Sequence, residues 1–492
     1  MKYFSFILLT LLSFSINGQD HYVTYIDIDN KPQIASQMML HNDKIYLSSI
    51  LGCGEEYKQC SGLLNVNKEG KILRTLSIDS FSNNSDGLIL YNDTILMSGE
   101  INMGKANGFT TFVLDKNLDL IKQINYNSED TLHSNYICNN ALLIENKIVV
   151  SGSSFNDGYS EQIGQIFTMS DCKIDTNILI EVSAFSTRIT NMHSTSLNDI
   201  ILYISDTASG IDKDSIHLIK LDTSFNQTFE WSMEVPRSHI PRGCVTQDDD
   251  MIITVPNYTW SSIRDIWSIS QIGQVNWRYK WPDTKGSRNI LRIEEATNQD
   301  LFVMGEIVTP NLFNDARPTA FVMRLDAEGN EIWRRYFRSE NEHRALSGYV
   351  SDLEELENGD LLLTGKSTRI LYGDGEERLD QDIFWARIGG DGCINGDCDE
   401  VYLISNTNDL LPAIVDISIH PNPTVDGLLT IDVNDHSVQS AWIYDLSGQL
   451  IIHQKLEYGS TSISLEGNNS IYLIRIVDDE GRLVHSEKVI KL

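Results

Sequence analysis

Apolar and polar residues alternate in short runs between Tyr22 and Glu400, and turns rich in Asp, Asn and Gly separate these runs. A period of two is typical of β-strands, and no convincing run follows the 3.6-residue period of an α-helix. This long region is therefore predicted to be all-β.

One strand recurs seven times along the chain, with starts about 50 to 60 residues apart. Its copies are KIYLSS at Lys44, TILMSG at Thr94, KIVVSG at Lys147, IILYIS at Ile200, MIITVP at Met251, LFVMGE at Leu301 and LLLTGK at Leu361. A repeat of this length that contains several strands is typical of a β-propeller blade.

A second strand follows each variable loop and ends in a tight turn, where glycine supplies a positive φ without steric cost. Turn glycines of this kind are Gly70, Gly273, Gly329 and Gly392. A third strand comes next, and Trp277 and Trp333 lie in it, four residues after their glycines. Three or four strands in each of seven units predict a seven-bladed β-propeller over residues 19–400.

The seventh unit lacks the third, Trp-bearing strand. The segment His21–Ile28 has the right alternation to supply it, and this would remove a raw sheet edge. In the alternative interpretation, a disulfide between Cys393 and Cys398 caps an incomplete blade.

The repeats resemble secreted propellers of the PQQ-like and delta-sixty families. They depart from the PQQ-dehydrogenase pattern because no Thr precedes Gly329 in LDAEGNEIW. They also depart from the sialidase Asp-box, because two residues separate Asp326 from Gly329. Both departures weaken an enzymatic interpretation of this resemblance.

Residues 414–492 contain six or seven short alternating strands, enough for a small Ig-like antiparallel β-sandwich, and the polar segment 401–413 is predicted to be a linker. The runs IHPNPTVDGLLTI, AWIYDLSGQLI and SIYLIRIVDDEGRL, with the basic terminus EKVIKL, resemble the C-terminal sorting domain of the type IX secretion system of Bacteroidetes. The positions that match its recognition elements are Pro421, Asn422, Pro423, Asp426, Asp445, Gly448, Tyr472, Gly481, Lys488 and Lys491. The resemblance implies that the export machinery is a partner and that the domain is removed during export.

The N-terminus is typical of a signal peptide over residues 1–18, with Lys2 before an apolar run and Asn17-Gly18 at its end. The apolar run of about 14 residues is short for a membrane span, which needs about 20. No transmembrane segment is predicted. With the C-terminal resemblance, this predicts export across both membranes to the medium or the outer cell surface.

The charge balance of 38 basic and 69 acidic residues gives a net charge of −31. Nucleic acids and anionic membranes bind proteins through basic surfaces, so neither is a predicted partner. Hydrophobic content of 41% and charged content of 22% are typical of a folded protein.

Seven cysteines lie in the part of the chain that is predicted to be exported, where disulfides form. Proximity favours three pairs and leaves Cys244 over. These pairs are Cys53–Cys60, Cys138–Cys172 and Cys393–Cys398. No CxxC zinc motif is present.

Two segments are candidates for binding sites. The acidic loop after Gly373 offers the carboxylates of Asp374, Glu376, Asp380 and Asp382 to Ca²⁺, although it lacks EF-hand spacing and acidic loops are commonly just solvated. Trp260 and Arg264 lie in a predicted loop, Asn257–Asp265, where an indole would stack on a sugar. Calcium is thus the one candidate cofactor.

No GxSxG, HExxH, P-loop or GxGxxG motif occurs, so binding of a glycan or protein is favoured over catalysis. Two alternatives stay open. An extracellular hydrolase or lyase would use carboxylates from different blades, which a sequence does not reveal. A structural or adhesion protein would have no such site.

Overall fold

The computed structural model describes the chain in segments. These are residues 22–26, 33–53, 58–78, 81–82, 87–91, 93–102, 107–126, 135–145, 147–155, 162–170, 173–180, 186–207, 213–236, 240–257, 260–281, 287–308, 318–339, 348–373, 376–394, 398, 401–404, 417–424, 427–433, 438–445, 450–456, 458–465, 470–478 and 483–491. The predicted signal peptide lies outside them. Unit 1 comprises residues 1–338 and 342–403, and unit 2 comprises 339–341 and 404–492.

Antiparallel sheets make up the described part of unit 1, numbered here in chain order. Sheet 1 contains β2 (Gln33–His41), β3 (Lys44–Cys53), β4 (Lys58–Val66) and β5 (Ile72–Ile78). Sheet 2 contains β6 (Phe81–Ser82), β7 (Leu88–Tyr91), β8 (Thr94–Asn102), β9 (Asn107–Asp115) and β10 (Leu120–Tyr126). Sheet 3 contains β11 (Asn135–Ile144), β12 (Lys147–Phe155), β13 (Gln162–Ser170) and β14 (Lys173–Ile180). Sheet 4 contains β15 (Thr187–Ser194), β16 (Ile200–Thr207), β17 (Lys213–Leu221) and β18 (Gln227–Pro236).

Three further sheets complete the described part of unit 1. Sheet 5 contains β19 (Gly243–Val245), β20 (Met251–Asn257), β21 (Trp260–Ile269) and β22 (Val275–Tyr279). Sheet 6 contains β23 (Ser287–Glu295), β24 (Leu301–Val308), β25 (Thr319–Leu325), β26 (Glu331–Ser339) and β30 (Val401–Ile404). Sheet 7 contains β27 (Gly348–Glu355), β28 (Leu361–Gly373), β29 (Glu376–Ile388) and the N-terminal β1 (Tyr22–Ile26). These sheets are consistent with propeller blades.

The recurring motif is a strand in every sheet, as predicted: it forms β3, β8, β12, β16, β20, β24 and β28. The strand before it was not predicted. We call this the first strand of its sheet, and the set is β2, β7, β11, β15, β19, β23 and β27. Five of these strands carry a shift in register, between residues 35 and 37, 138 and 140, 189 and 191, 290 and 292, and 350 and 352. Such a bulge breaks the period-two alternation that identifies a strand in sequence.

The first strands contact one another in a closed cycle, from β2 through β7, β11, β15, β19 and β23 to β27 and back to β2. The N-terminal strand completes the last sheet, because Tyr22–Ile26 pairs antiparallel with β29. The prediction that this segment pairs there is confirmed.

Turn glycines take the predicted left-handed conformation, and one of them shows why glycine is required. Gly329 has φ +82°, and a Cβ at this position would lie 2.4 Å from the Trp277 ring of the preceding sheet. The Trp277 Nε1 donates to the Ala327 carbonyl of the same turn at 2.9 Å. The turn and the tryptophan therefore join sheets 5 and 6.

Apolar residues on facing sides of adjacent sheets form the core. Between sheets 7 and 1, for example, the fully buried Trp385 packs with Ile45, Leu47 and Leu362. This contact links the end of unit 1 to its beginning.

Unit 2 forms from all seven strands predicted in this region. Sheet 8 contains β31 (Ile417–His420), β32 (Leu428–Val433) and β35 (Gly459–Ser464). Sheet 9 contains β33 (Val438–Asp445), β34 (Leu450–Lys455), β36 (Ser470–Asp478) and β37 (Leu483–Lys491). Ile431 of the first sheet and Ile443 and Ile474 of the second are fully buried in one shared core.

The structure differs from the sequence prediction at the linker and at the strands around one predicted disulfide. Residues 401–404 are not linker, because β30 extends sheet 6. The Cys393–Cys398 disulfide is present, with the Cα atoms 4.4 Å apart. For Cys138 and Cys172 the expected neighbouring strands are not neighbours, since β12 separates β11 from β13 and β14, which flank Cys172.

The remaining cysteines are partly described. Cys172 and the side chains of Cys53, Cys60 and Cys138 lie outside the described residues, so these two pairings stay predictions. Cys244 is a buried free thiol, and burial raises its pKa.

Candidate functional site

Polar residues at one repeated position of the first strands reach toward the next sheet. We call them the belt residues: Gln37, Asn140, Asn191, Arg292 and Asp352. Each comes directly after the bulge of its strand. The bulge re-aims a side chain locally, so the belt follows from a repeated backbone irregularity.

Amide side chains form three links of the belt. The Gln37 Nε2 donates to the Leu88 carbonyl at 3.2 Å, and its Oε1 accepts from the Leu88 N–H at 2.7 Å. The Asn140 Nδ2 donates to Asn191 Oδ1 at 2.6 Å, and the Asn191 Nδ2 donates to the Gly243 carbonyl at 3.0 Å. These bonds join sheets 1 to 2, 3 to 4 and 4 to 5.

Charged side chains form the part of the belt that joins sheets 6, 7 and 1, where the cycle of first-strand contacts closes. The Arg292 Nε lies 2.9 Å from Asp352 Oδ1 and also pairs with the Glu294 carboxylate. The fully buried Asp352 accepts from the Met38 N–H of sheet 1 and from the Leu353 N–H at 2.9 Å. One carboxylate thus bridges sheets 6, 7 and 1.

Two carboxyl groups at this junction have raised pKa values. Burial raises the pKa of Asp352 well above its usual range, against the opposing effect of Arg292. Burial, with the nearby Glu294 charge, raises the pKa of Glu354 from 4.5 to about 7. Desolvation disfavours the charged form of a carboxyl, and here it outweighs one guanidinium. Glu354 is therefore a group that titrates near neutral pH.

A cavity of about 370 Å³ lies among the first strands. Its wall consists of residues 140–142, 191–193, 243–245 and 292–295, with Gln37. Four of the five belt residues therefore line it, together with Glu294 and Glu295. A volume of this size is within the range of small-ligand sites.

Asn140 is the belt residue with an unused hydrogen-bonding atom. Its side chain is 4% exposed, and its Nδ2 is bonded to Asn191, but its Oδ1 accepts no hydrogen bond from any described residue. A buried carbonyl oxygen without a donor is costly, so this atom reduces the stability of the belt.

The prediction that Trp260 and Arg264 lie in a loop is wrong. Trp260 and Arg264 belong to strand β21 and pair with Asn257 and Pro256 of β20. The register shifts between those two pairs, so the predicted loop is an irregular hairpin end. The side chains of Trp260 and Arg264 lie outside the described residues.

The predicted calcium loop is mostly strand. Glu376, Asp380 and Asp382 belong to β29 and pair with Gly373, Arg369 and Ser367 of β28. Asp382 is 2% exposed. Asp374 and the side chains of Glu376 and Asp380 lie outside the described residues, so calcium binding stays a prediction.

One further group has metal-ligand atoms close together. Asp391, Cys393 and Cys398 form it, with ligand atoms within 4.8 Å of one another. Because the two sulfur atoms are joined in a disulfide, they are not thiolates that bind a metal.

In unit 2, Asn422 fixes the start of the domain to its last strand. Its Nδ2 donates to the Lys488 carbonyl at 2.8 Å, and its Oδ1 accepts from the Ile490 N–H at 3.1 Å. The Lys491 Nζ donates to the Leu465 carbonyl at 2.7 Å. Pro421 and Pro423 are exposed on either side of Asn422.

A second cavity, of about 510 Å³, brings together three other predicted recognition residues. Asp445, Tyr472 and Lys488 line it, with Tyr444, residues 471–473 and Arg475. The remaining predicted positions, Asp426 and Gly448, lie outside the described residues, as does Gly481.

The belt and the first cavity were missed from sequence because their residues come from different repeats. Asn140 and Asn191 are 51 residues apart, and Asn191 and Gly243 are 52 apart. The available signal was a polar residue at this spacing, directly before an apolar one, once the repeats are aligned.

Residues 418–491 match the family model described as a secretion system C-terminal sorting domain. This indicates secretion by the type IX system and an extracellular or surface location. No curated protein matches the chain. Among the described residues, no helix is long and apolar enough to span a membrane.

Solved structures resemble the chain at low sequence identity. The GH93 α-L-arabinofuranosidase of Fusarium graminearum is 12% identical, with a TM-score of 0.42 over 62% of this chain and 97% of that one. The acylaminoacyl peptidase of Pyrococcus horikoshii is 10% identical, with a TM-score of 0.42 over 83% of this chain and 59% of that one. A protein of unknown function from Dyadobacter fermentans is 10% identical, with a TM-score of 0.38 over 75% and 98%.

Proposed function

We propose that the protein is an exported seven-bladed β-propeller that binds a small polar ligand, such as the end of a glycan, in the cavity among its first strands. An Ig-like sorting domain directs it through both membranes of a Bacteroidetes cell after a signal peptide over residues 1–18 is removed. The closed cycle of first-strand contacts supports the propeller.

The cavity is the single observation that carries the binding function. Polar groups from four different strands converge there, and they include amides, an arginine and two glutamates. Ala141, Leu142 and Met192 supply apolar surface beside them. An apolar wall with a few convergent polar groups is the usual composition of a ligand site.

Catalysis is the second candidate, because carboxyl groups converge on this part of the ring. Glu354 titrates near neutral pH, as a general acid or base must. Binding is favoured over catalysis because Asp352 is fully buried and already bonded to two backbone N–H groups and to Arg292. A structural or adhesion role would leave the cavity without a ligand.

A glycan array with the purified full chain tests the proposal. Val245 lines the cavity and is half-buried, so Val245→Trp adds a large side chain to the cavity wall. We expect selective binding by the unaltered chain and its loss in Val245→Trp. Ile272→Trp, at an exposed position in a turn of the same sheet, is the control. Binding that survives Val245→Trp would place the ligand elsewhere, for example at Trp260 and Arg264.

Catalysis is tested on the same material with chromogenic glycosides. Turnover that disappears in Glu354→Gln would favour the hydrolase or lyase. Binding without turnover would favour the binding protein.

A further inference from the structure

The outer face of sheet 9 in unit 2 carries aromatic, apolar and cationic side chains. Ile443 and Ile474 are fully buried in the core, so the residues next to them in sequence point away from it. Residues that lie directly opposite each other in a sheet share a face. By register, the outward set is Leu450, His453 and Lys455 of β34, Trp442 and Tyr444 of β33, Leu473 and Arg475 of β36, and Lys488 of β37.

The apolar members of this set are open to solvent. Trp442, Leu450 and Leu473 are 36%, 42% and 38% exposed. The Trp442 Nε1 donates to Ser440 Oγ at 3.1 Å, and its ring lies 4.8 Å from the His453 ring, so the indole lies along the sheet. Exposed apolar residues that are grouped on one face, rather than scattered singly, are typical of an interaction surface.

The outer face of sheet 8 shows that the sandwich itself does not impose this composition. His420 and Asp432 pair there, with 2.7 Å between Nε2 and Oδ2. Hydroxyl groups predominate on this face, as is usual where only water covers a sheet. Its residues are Ser418, His420, Leu428, Thr430, Asp432, Ser460, Ser462 and Ser464.

The charge of the outer face of sheet 9 is opposite to that of its domain. Residues 404–492 contain twelve Asp or Glu and five Lys or Arg, and three of these five cations, Lys455, Arg475 and Lys488, lie on this face. Arg475 and Lys488 form no salt bridge with any residue that the structure describes. The Arg475 guanidinium lies 5.9 Å from the centre of the Tyr444 ring. An acidic partner is therefore attracted to this face and repelled by the rest of the protein.

The cavity of about 510 Å³ lies at this face. Four residues of the outward set line it, namely Tyr444, Leu473, Arg475 and Lys488. Ile471 extends its apolar wall, and Asp445 is the one carboxylate among its described lining residues. An apolar wall beside two cations fits an apolar side chain that carboxylates flank.

We infer that the outer face of sheet 9 is where the sorting domain contacts the export machinery, and that the machinery presents an acidic surface whose apolar side chain enters the cavity. Asp445, Tyr472 and Lys488 of the predicted recognition set line this cavity. The inference adds Trp442 and Arg475, which lie outside that set. It rests on the proposed export through unit 2 and assigns that role to one face of the domain.

Export of the full chain from cells that carry a type IX system tests the inference. Arg475→Gln with Lys488→Gln removes two positive charges and keeps long polar side chains. We expect the ratio of secreted to retained protein on immunoblots to fall about tenfold or more, because the loss of one hydrogen bond between charged groups weakens binding by about that factor. Arg475→Lys with Lys488→Arg keeps both charges and should be exported like the unaltered chain.

A matched control changes the charge elsewhere in the same domain. Ser462→Glu with Ser464→Glu shifts the net charge by the same amount on the outer face of sheet 8, and we expect normal export. Leu473→Ser tests the apolar part of the sheet 9 face and should reduce export. Thermal melting of the purified chains identifies a variant that fails to fold, and Leu473→Ser decides if the glutamine pair does so.

The outcomes separate this inference from the proposed function. Normal export of the glutamine pair overturns the inference and leaves the export role of unit 2 intact. Equal retention of the glutamine pair and the control pair also overturns it, since export then follows net charge. Normal export followed by release of the glutamine pair from the cell surface overturns it in favour of an anionic surface polysaccharide as the partner. Retention of the unaltered chain overturns the export proposal itself.

Discussion

The ring of first strands in unit 1 and the sorting domain of unit 2 use polar residues in opposite ways. In unit 1 each belt residue comes from a different repeat, and its partner lies in the next sheet, as Asn140 and Asn191 show. In unit 2 Asn422 bonds to Lys488 and Ile490, which are 66 and 68 residues away but lie in the same small domain. The two regions therefore differ in where the partner lies, in the next repeat of unit 1 or in the same domain of unit 2, and not in distance along the chain.

We expect the stability of unit 1 to depend strongly on the charged part of the belt, the pair of Arg292 and Asp352. Asp352→Ala leaves Arg292 without its buried partner and removes an acceptor from two backbone N–H groups. We expect the free energy of unfolding of unit 1 to fall by about 3 to 5 kcal/mol. Denaturant unfolding followed by tryptophan fluorescence measures it, with Glu357→Ala as the control. A loss below about 1 kcal/mol would show that the ring does not depend on this link.

The second prediction concerns pH. The folded-state pKa of Glu354 is raised from 4.5 to about 7, so its contribution to stability is complete below pH 4.5 and disappears as pH rises through 7. Relative to Glu354→Gln, the unaltered chain should therefore lose about 3 kcal/mol of stability between these two pH values. Unfolding measured at pH 4.5 and pH 8 for both chains tests this. A difference that is independent of pH would contradict the raised pKa.

The third prediction uses two turn glycines as a matched pair. Gly329 and Gly359 both have left-handed φ values, +82° and +83°, but a Cβ would strike Trp277 at the first and meets nothing within 4 Å at the second. Both alanine variants should lose about 1 kcal/mol from backbone strain. Gly329→Ala should lose about 1 to 3 kcal/mol more, because the joint between sheets 5 and 6 is overpacked. Equal losses of stability in the two variants would mean that the Trp277 side chain moves aside without a measurable cost.

The smallest effect on stability is expected in unit 2. Asn422→Ala removes two hydrogen bonds from an exposed side chain, so it should reduce the stability of the domain by about 1 kcal/mol. Export should fall more than stability, if Asn422 positions Pro421 and Pro423 for recognition. Secreted and retained protein are compared on immunoblots, with Gln454→Ala as the exposed control. Normal export of Asn422→Ala would remove this residue from the recognition set.

Sequence predicted the features that depend on residues a few positions apart, namely strands and tight turns. Alternation identified the strand that begins at Lys44 and its six later copies, and the positive φ of Gly329 followed from its place in a tight turn. It failed for the first strands, because the bulges before residues such as Asn140 and Arg292 interrupt the alternation. It also placed Trp260 in a loop, whereas the residue begins strand β21.

The sequence by itself determined the all-β class, the period of the repeat and the seven strands of the sorting domain. These depend on period-two patterns and on turn residues, which act over a few positions. Tertiary structure alone decided that Asn140, Arg292 and Glu294 face one cavity and that Asp352 bridges three sheets. Their proximity arises from closure of the ring, which joins residues from repeats far apart along the chain, and no local pattern encodes that distance.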